Sequence, residues 1–503
     1  MKHYYLTLII SFFIVQLNAQ TELSATVIDS TSQQTIPFAS ITLNKSFGVI
    51  SNNEGYFIMH LRNTLTKNDS IEISCLGYET KNMPALNFKD SIIQLQPKTF
   101  ELNEVVVTKE QLTADEIIEK VKEGLASNYD TDYVKSTLFF RESNFTNVDT
   151  KKIDLKKSTI PEFNQGLIDS ILMALPSKSD QYTEILTTKY SNHKIDDSYK
   201  LEVLKASELY DKKNEITFES FEERLTNIIK NNVKPDSYFK IKSGLFGTKE
   251  EMDSTLFEDN EAKEAKALIE EEKKKEQNRK NNFLKWRKNQ IRNLENASII
   301  YEDPSLNFLE KSKKYRFTLE DFAFLNNNYV YKISFAPKGS ADYKGTLYIN
   351  PQDYAIERLD FENVKTIKSF KLLGLMFQSH IHNGSFIYNK NSENKYVLSY
   401  AEQTIGNRFG VKRPLKIIEK NKNTKGRRKQ NEVSGDLNFQ MTVIQKNELV
   451  VFENNVISKT EFDAFKEAAK VTPTYLPSYD PEFWKGYNVI EPNKAIKEFK
   501  SIE

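Results

Sequence analysis

Two histidines separated by a single residue, His380 and His382, are the best-spaced chemical groups in this chain of 503 residues. On a strand they would share one face, which suits a metal if a third ligand such as Glu402 converges from a neighbouring strand. Of the five histidines only His60 and His193 remain beyond the first few residues. Ligands are therefore scarce, and the plainer expectation is a pair of partly exposed strand histidines. A glycine-rich phosphate loop, a nucleophile elbow and a His-Glu-x-x-His zinc motif are all missing from the sequence. Asp and Glu together number 70, so neighbours such as Glu320 with Asp321, or Asp360 with Glu362, carry no information about glycoside chemistry. Cys75 is the single cysteine, which excludes an intramolecular disulfide, and it is expected as a small buried residue of an alternating strand. No catalytic residue and no cofactor is singled out.

The elements that would have to position any site begin after a leader. Met1 to Gln20 has a basic start at Lys2, an apolar run from Leu6 to Leu17 and Ala19 before Gln20, the pattern of a signal peptide spanning residues 1–19. Its apolar run is shorter than the roughly 18 residues needed to span a bilayer, and no later stretch approaches that length. An exported chain without a transmembrane span is expected, in the periplasm or at the periplasmic face of the outer membrane. Formal net charge is +1, and Lys2 leaves with the leader, so no overall field recruits nucleic acid or anionic lipid. Lys425-Gly-Arg-Arg-Lys is a basic loop without interleaved aromatics, and nucleic acid is not expected as a partner.

From Thr21 to Val107 short strands alternate with turns. Leu23, Ala25 and Val27 alternate with polar neighbours, Ile36 to Leu43 opens a second strand, and Glu54-Gly55 turns into Tyr56-Phe57-Ile58. The ordered motifs Ala25-Thr-Val-Ile-Asp, Ile36-Pro-Phe-Ala-Ser-Ile, Asn53-Glu-Gly-Tyr-Phe, Cys75-Leu-Gly-Tyr-Glu and Leu102-Asn-Glu-Val-Val-Val resemble the carboxypeptidase regulatory-like domain. That resemblance implies a non-catalytic, transthyretin-like β-sandwich over residues 20–108, of the kind found in Gram-negative envelope proteins and ahead of TonB-dependent transporters. It implies no peptidase activity.

Residues 109–314 read as a mixed helical region. Thr113-Ala-Asp-Glu116 is a capping box before an apolar face at Ile117, Ile118, Val121, Leu125 and Tyr129. Lys249 to Asn296 is a long charged helix with oppositely charged residues three or four apart. Either it is solvated throughout, or the apolar patch that follows its charged half docks a partner, with Phe283, Trp286, Arg287 and Ile291 as the partner-binding candidates. The sequence assigns no topology to residues 143–248.

From Tyr315 to the end at 503 the period returns to two, with seven strand candidates, then a helix from Ser458 and an extended tail carrying Tyr475, Tyr479, Phe483, Trp484 and Tyr487. One curved antiparallel sheet is expected. Tyr343 to Asn350 with Asp353 to Phe361 resembles the strand-turn-strand unit of lipoprotein-carrier-like half barrels, which implies an apolar ligand held against the sheet.

The fold class expected is mainly β with α: an N-terminal sandwich, central charged helices and a C-terminal curved sheet. The function that fits is an exported, non-enzymatic envelope protein binding a protein partner or an apolar ligand. Two alternatives stand beside it, a secreted hydrolase with its site in residues 130–450 and an accessory module of an outer-membrane transporter.

Overall fold

Alternation of apolar and polar residues dominates both halves of the chain, and the computed structural model is accordingly mostly strand, with six α-helices among the described residues. It describes all residues except 1–21, 46, 62, 90, 99–111, 130–131, 193–198, 236, 245, 252–260, 299–305, 392, 422, 424–427 and 502–503. The expected leader lies outside the described residues. The chain divides into two compact units: the described part of Met1–Lys98 with Leu325–Asn327 and Pro481–Asn493, and the remainder.

The first unit contains β1 (Glu22–Asp29), β2 (Ser40–Leu43), β3 (Phe47–Ile50), β4 (Tyr56–His60), β5 (Ser70–Ser74), β6 (Lys81–Pro84) and β7 (Ile92–Leu95). They form two sheets, ordered β4-β1-β7 and β3-β2-β5-β6. Ala25, Val27, Phe57 and Ile93 from one sheet and Ile41, Ile71 and Ile73 from the other are almost wholly buried, the inward half of the alternation. Gly55 takes φ +76° at the turn into β4, and a Cβ there would stand 2.7 Å from the Val27 carbonyl oxygen, so only glycine fits. Cys75 lies one residue past β5 and is half-buried, because the strand ends before it.

The second unit holds α1 (Ala114–Tyr129), β8 (Tyr133–Ser158), α2 (Gln165–Ala174), β9 (Lys178–Asn192), β10 (Lys200–Leu209), α3 (Lys213–Asn232), β11 (Ser237–Ser243), β12 (Phe246–Glu251) and α4 (Glu261–Asn296). It continues with β13 (Tyr315–Leu325), β14 (Asn328–Pro337), β15 (Tyr343–Ile349), β16 (Ile356–Asn363), β17 (Lys368–Leu372), β18 (Leu375–Lys390), β19 (Tyr396–Asn421) and β20 (Lys429–Val456). Short pieces close the chain: α5 (Lys459–Ala464), β21 (Thr474–Tyr475) and α6 (Lys494–Lys497). The strands make one 14-stranded sheet whose main path runs β13-β14-β15-β16-β18-β19-β20-β8-β9-β10-β21 and does not close on itself. Strands from both sides of residue 314 therefore share a single sheet. Asn383 and Gly384, which the sequence suggests as a turn, lie inside β18.

Register explains how this sheet builds a core. Ile333, Leu347, Leu359, Phe386, Ala401, Leu449, Phe140, Ile185 and Ala206 stand opposite one another across nine strands, a transverse row that is apolar throughout. Because successive side chains alternate faces, the next row belongs to the other side of the sheet. It is Ser334, Thr346, Asp360, Ser385, Glu402, Glu448, Arg141, Glu184 and Ser207, polar throughout. The apolar row is covered by Ile117, Ile118 and Val121 of α1 and by Phe283, Leu284, Ile291 and Leu294 of α4, which share its core. The predicted capping box starts α1: Glu116 accepts from the Thr113 backbone N–H at 2.7 Å, and the Glu116 N–H donates to the Thr113 hydroxyl at 3.3 Å.

Candidate functional site: an apolar cleft at the far end of the sheet

β8, β19 and β20 are each longer than 25 residues and outrun the helices that cover the core row. Their far ends keep apolar residues on that same face: Ile153 and Leu155, Leu415 and Ile417, Val433 and Leu437. A second helical cover closes over them. Phe163, Ile168, Ile171 and Leu172 from α2 and the loop before it, with Leu225 of α3, roof a cleft of about 160 Å³. Ser434 is the one polar residue of its lining.

The roof is fastened by polar groups at its ends. Gln165, the first residue of α2, accepts from the Leu155 N–H at 2.8 Å and donates to the Ile153 carbonyl at 2.8 Å, so its amide stands in for a neighbouring strand. Asn164 caps the helix by accepting from the Leu167 N–H at 3.0 Å. At the other end the Lys151 ammonium donates to the Leu175 carbonyl. A helix held this way above an apolar floor leaves a gap that its own side chains do not fill. Apolar gaps of about 150 Å³ stay dry and accept benzene-sized molecules, so this one has room for a ring or the end of an alkyl chain.

The opposite, polar face carries a broad groove of about 550 Å³ lined by Lys344, Asp360, Glu362, Ser385 and Glu402 among others. It has the carboxylates a hydrolase would need, but each is held by a cation. Arg358 Nε lies 3.0 Å from Asp360, Lys344 Nζ 2.8 Å from Glu362 and Lys446 Nζ 3.1 Å from Glu402. Burial alone would lower the Lys446 pKa, yet the Glu448 and Glu402 carboxylates around it carry it above the usual lysine range. Further along the same row Arg141 lies 2.7 Å from Glu184 and 3.9 Å from Glu448, all three buried.

The residues singled out from sequence fall as follows. His380 and His382 both lie on β18, with a register slip between Ser379 and Ile381. His382 is buried rather than partly exposed, since β18 runs through the core with Phe361 and Tyr343 beside it. One of its ring nitrogens meets the Tyr343 hydroxyl at 2.7 Å and the other the Gln403 side-chain amide at 2.8 Å, and burial lowers its pKa to about 4. Both nitrogens that could ligate a metal are thus engaged. No cluster of three or more His, Cys, Asp or Glu suited to a metal occurs among the described residues. Of the four partner-binding candidates, Phe283 and Ile291 are buried in the unit's own core, and Arg287 is buried with its guanidinium 2.7 Å from Glu142. Their apolar stripe is used by α4 to cover the sheet. Trp286 alone is half exposed. Sequence reasoning missed the cleft, although the run Phe163 to Leu175 and the alternation at Leu415 and Ile417 are its visible signals.

Comparison with known proteins bears on the first unit. Residues 23–107 match the family model of the CarboxypepD_reg-like domain. The two-sheet arrangement of β1 to β7 agrees with that module. The match spans a minority of the chain and leaves the cleft outside it. No curated relative matches the chain. Among solved structures, the complex of Pseudomonas aeruginosa MucA and MucB aligns over 66% of this chain and 93% of that one, at 6% identity and a TM-score of 0.16. That overlap is too low to assign a fold. No helix among the described residues is long and apolar enough to cross a membrane.

Proposed function

We propose that this is an exported, non-enzymatic binding protein of the cell envelope, in which a CarboxypepD_reg-like sandwich accompanies a sheet that holds an apolar group in the cleft under α2. The observation that carries this reading is the lining of that cleft, twelve residues without a polar side chain and Ser434. Apart from Ser434 such a lining offers no side-chain hydrogen bonds and so selects by shape and by removal of apolar surface from water, as expected for an acyl chain or an aromatic ring. Every carboxylate lining the opposite groove is held in an ion pair, which supports a structural role for these groups and binding over hydrolysis. Export rests on the leader pattern of residues 1–19 and on the company that such sandwich modules keep.

Saturable binding of a fluorescent fatty acid to the purified protein, competed by unlabelled fatty acid, is the test. Leu172→Trp fills the cleft while leaving its lining apolar. We expect it to weaken binding about tenfold, the effect of denying a few methylene groups their burial. Unchanged affinity in that variant, or no saturable binding at all, would remove the reading.

A further inference from the structure

Between its two helical covers the sheet carries apolar side chains that are exposed or only half-buried. Phe370, Phe377, Phe409, Met441 and Val148 stand opposite one another across β17, β18, β19, β20 and β8, on the same face as the core row. The row ends at the β17–β18 hairpin, where Leu372 pairs with Leu375 and only Leu373 and Gly374 form the loop. Both take positive φ, +49° and +79°, so this is a type I′ turn. Asn or Gly ordinarily fills its first position. Leu373 there is strained, and its side chain is 49% exposed, so neither the turn nor the core accounts for an apolar residue.

The strain is one of several unusual features gathered at this spot. Phe246, Phe370, Leu372, Leu373, Leu375 and Phe409 make up six of the fifteen exposed large apolar side chains among the described residues, and all are in these adjoining strands and hairpins. The β11–β12 hairpin reaches the same place: the Arg413 guanidinium lies 4.8 Å over the Phe246 ring and donates to the Ser243 carbonyl at 2.5 Å. A Cβ on Gly374 would meet Arg413 at 2.8 Å and the Lys412 carbonyl at 2.0 Å, so both hairpin tips close around one arginine. Charge is just as uneven. Residues 364–378 carry Lys365, Lys368 and Lys371 and no acid, and residues 403–416 carry Arg408, Lys412, Arg413 and Lys416 and no acid, in a chain whose net charge is only +1. Lys365 and Lys416 are taken up by Asp342 and Glu432, whereas Lys368, Lys371 and Lys412 stand exposed around the leucines.

We propose that this patch docks the protein on an anionic lipid bilayer, with Leu372, Leu373 and Leu375 entering the headgroup and acyl boundary and Lys368, Lys371 and Lys412 meeting lipid phosphates. Apolar side chains at a tip with cations behind them suit an interface whose interior is apolar and whose surface is negative. A protein partner would need acids facing those lysines and a fixed apolar socket. The bilayer supplies both features without a matching shape. The proposal is independent of the cleft.

The experiment is co-sedimentation of the purified protein with vesicles of phosphatidylcholine alone and with phosphatidylglycerol added. Binding is expected to the anionic vesicles and to fall as salt is raised. Leu373→Asn suits the turn better than leucine, so it should hold or raise the melting temperature while weakening vesicle binding about tenfold, the effect of one leucine kept out of the interface. Leu172→Trp should leave vesicle binding unchanged, and Leu373→Asn should leave fatty-acid binding unchanged, which separates the two proposals. Absence of binding to anionic vesicles, equal binding by Leu373→Asn, or capture of a protein through this patch without vesicle binding would each overturn it.

Discussion

The side chain of Asn488 grips the backbone of His60 at both polar groups, accepting from its N–H at 2.8 Å and donating to its carbonyl at 3.0 Å. An amide used this way imitates one rung of a ladder on β4, the edge of its three-stranded sheet. Trp484, Val489 and Ile490 are buried in the same unit, so a sandwich that begins at the start of the chain is completed by residues near its end.

Asn488→Ala should therefore loosen the first unit. Losing both bonds costs about 1–3 kcal/mol, since the His60 groups are left to find water at a half-buried edge. Faster hydrogen exchange over Tyr56–His60, with exchange in β8 and β20 unchanged, is the expected outcome. A chain cut after Lys98 should melt lower than the same sandwich within the full chain, because it lacks Trp484 and Ile490.

Arg141 is the hinge of the polar row, buried between Glu184 and Glu448. Arg141→Met would leave the buried Glu184 without its cation and Glu448 with Lys446 alone, 3.0 Å away, and about 3–5 kcal/mol of stability should go with it. Arg141→Met with Glu184→Gln and Glu448→Gln removes the charges together and should recover much of that loss. Urea denaturation of the single and triple variants measures both effects. A single variant as stable as the parent would mean the row contributes little.

Gly345 faces the Phe335 ring, and a Cβ there would stand 2.1 Å from the Asp360 carbonyl and 2.7 Å from the ring. Backbone cannot retreat as a flexible side chain can, so Gly345→Ala should destabilise the sheet by about 1–3 kcal/mol or more. A drop in melting temperature with the β content kept in circular dichroism is the expected signature.

Much of this was readable from residue order alone. Period-two runs such as Tyr329 to Phe335 and Ala355 to Phe361 became strands because alternation reports which face is buried, and Thr113 with Glu116 marked a helix start that depends only on local bonds. What stayed hidden depends on register between distant segments. Nothing local says that Arg141 will stand between Glu184 and Glu448, or that Gln165 will complete β8. The cleft needs Leu415, Leu437 and Ile153 brought side by side across three strands, and each of them alone looks like any half-buried strand residue. What Phe283 and Ile291 pack against is not written locally, because the sheet they cover lies elsewhere in the chain. The exposure of Leu372, Leu373 and Leu375 is equally hidden in the sequence, since it comes from the two-residue turn.

His382 makes stability depend on pH in a direction that its surroundings fix. Burial lowers its pKa to about 4, below the ordinary value of 6.5, so the folded protein keeps the ring neutral between Tyr343 and Gln403. The unfolded chain takes up a proton at higher pH than the folded one does. The contribution is therefore fully present above pH 6.5 and is lost as pH falls from there through about 4, reaching about 3 kcal/mol. His60 is shifted the same way, mainly by burial with Glu22 opposing, and adds to the slope. Urea denaturation between pH 7.5 and 4.5 should show stability declining across this window, and His382→Gln, which cannot titrate, should decline less steeply. Equal slopes in the two proteins would mean that protonation of His382 is tolerated in the fold, which its two neutral partners and closed aromatic surroundings argue against.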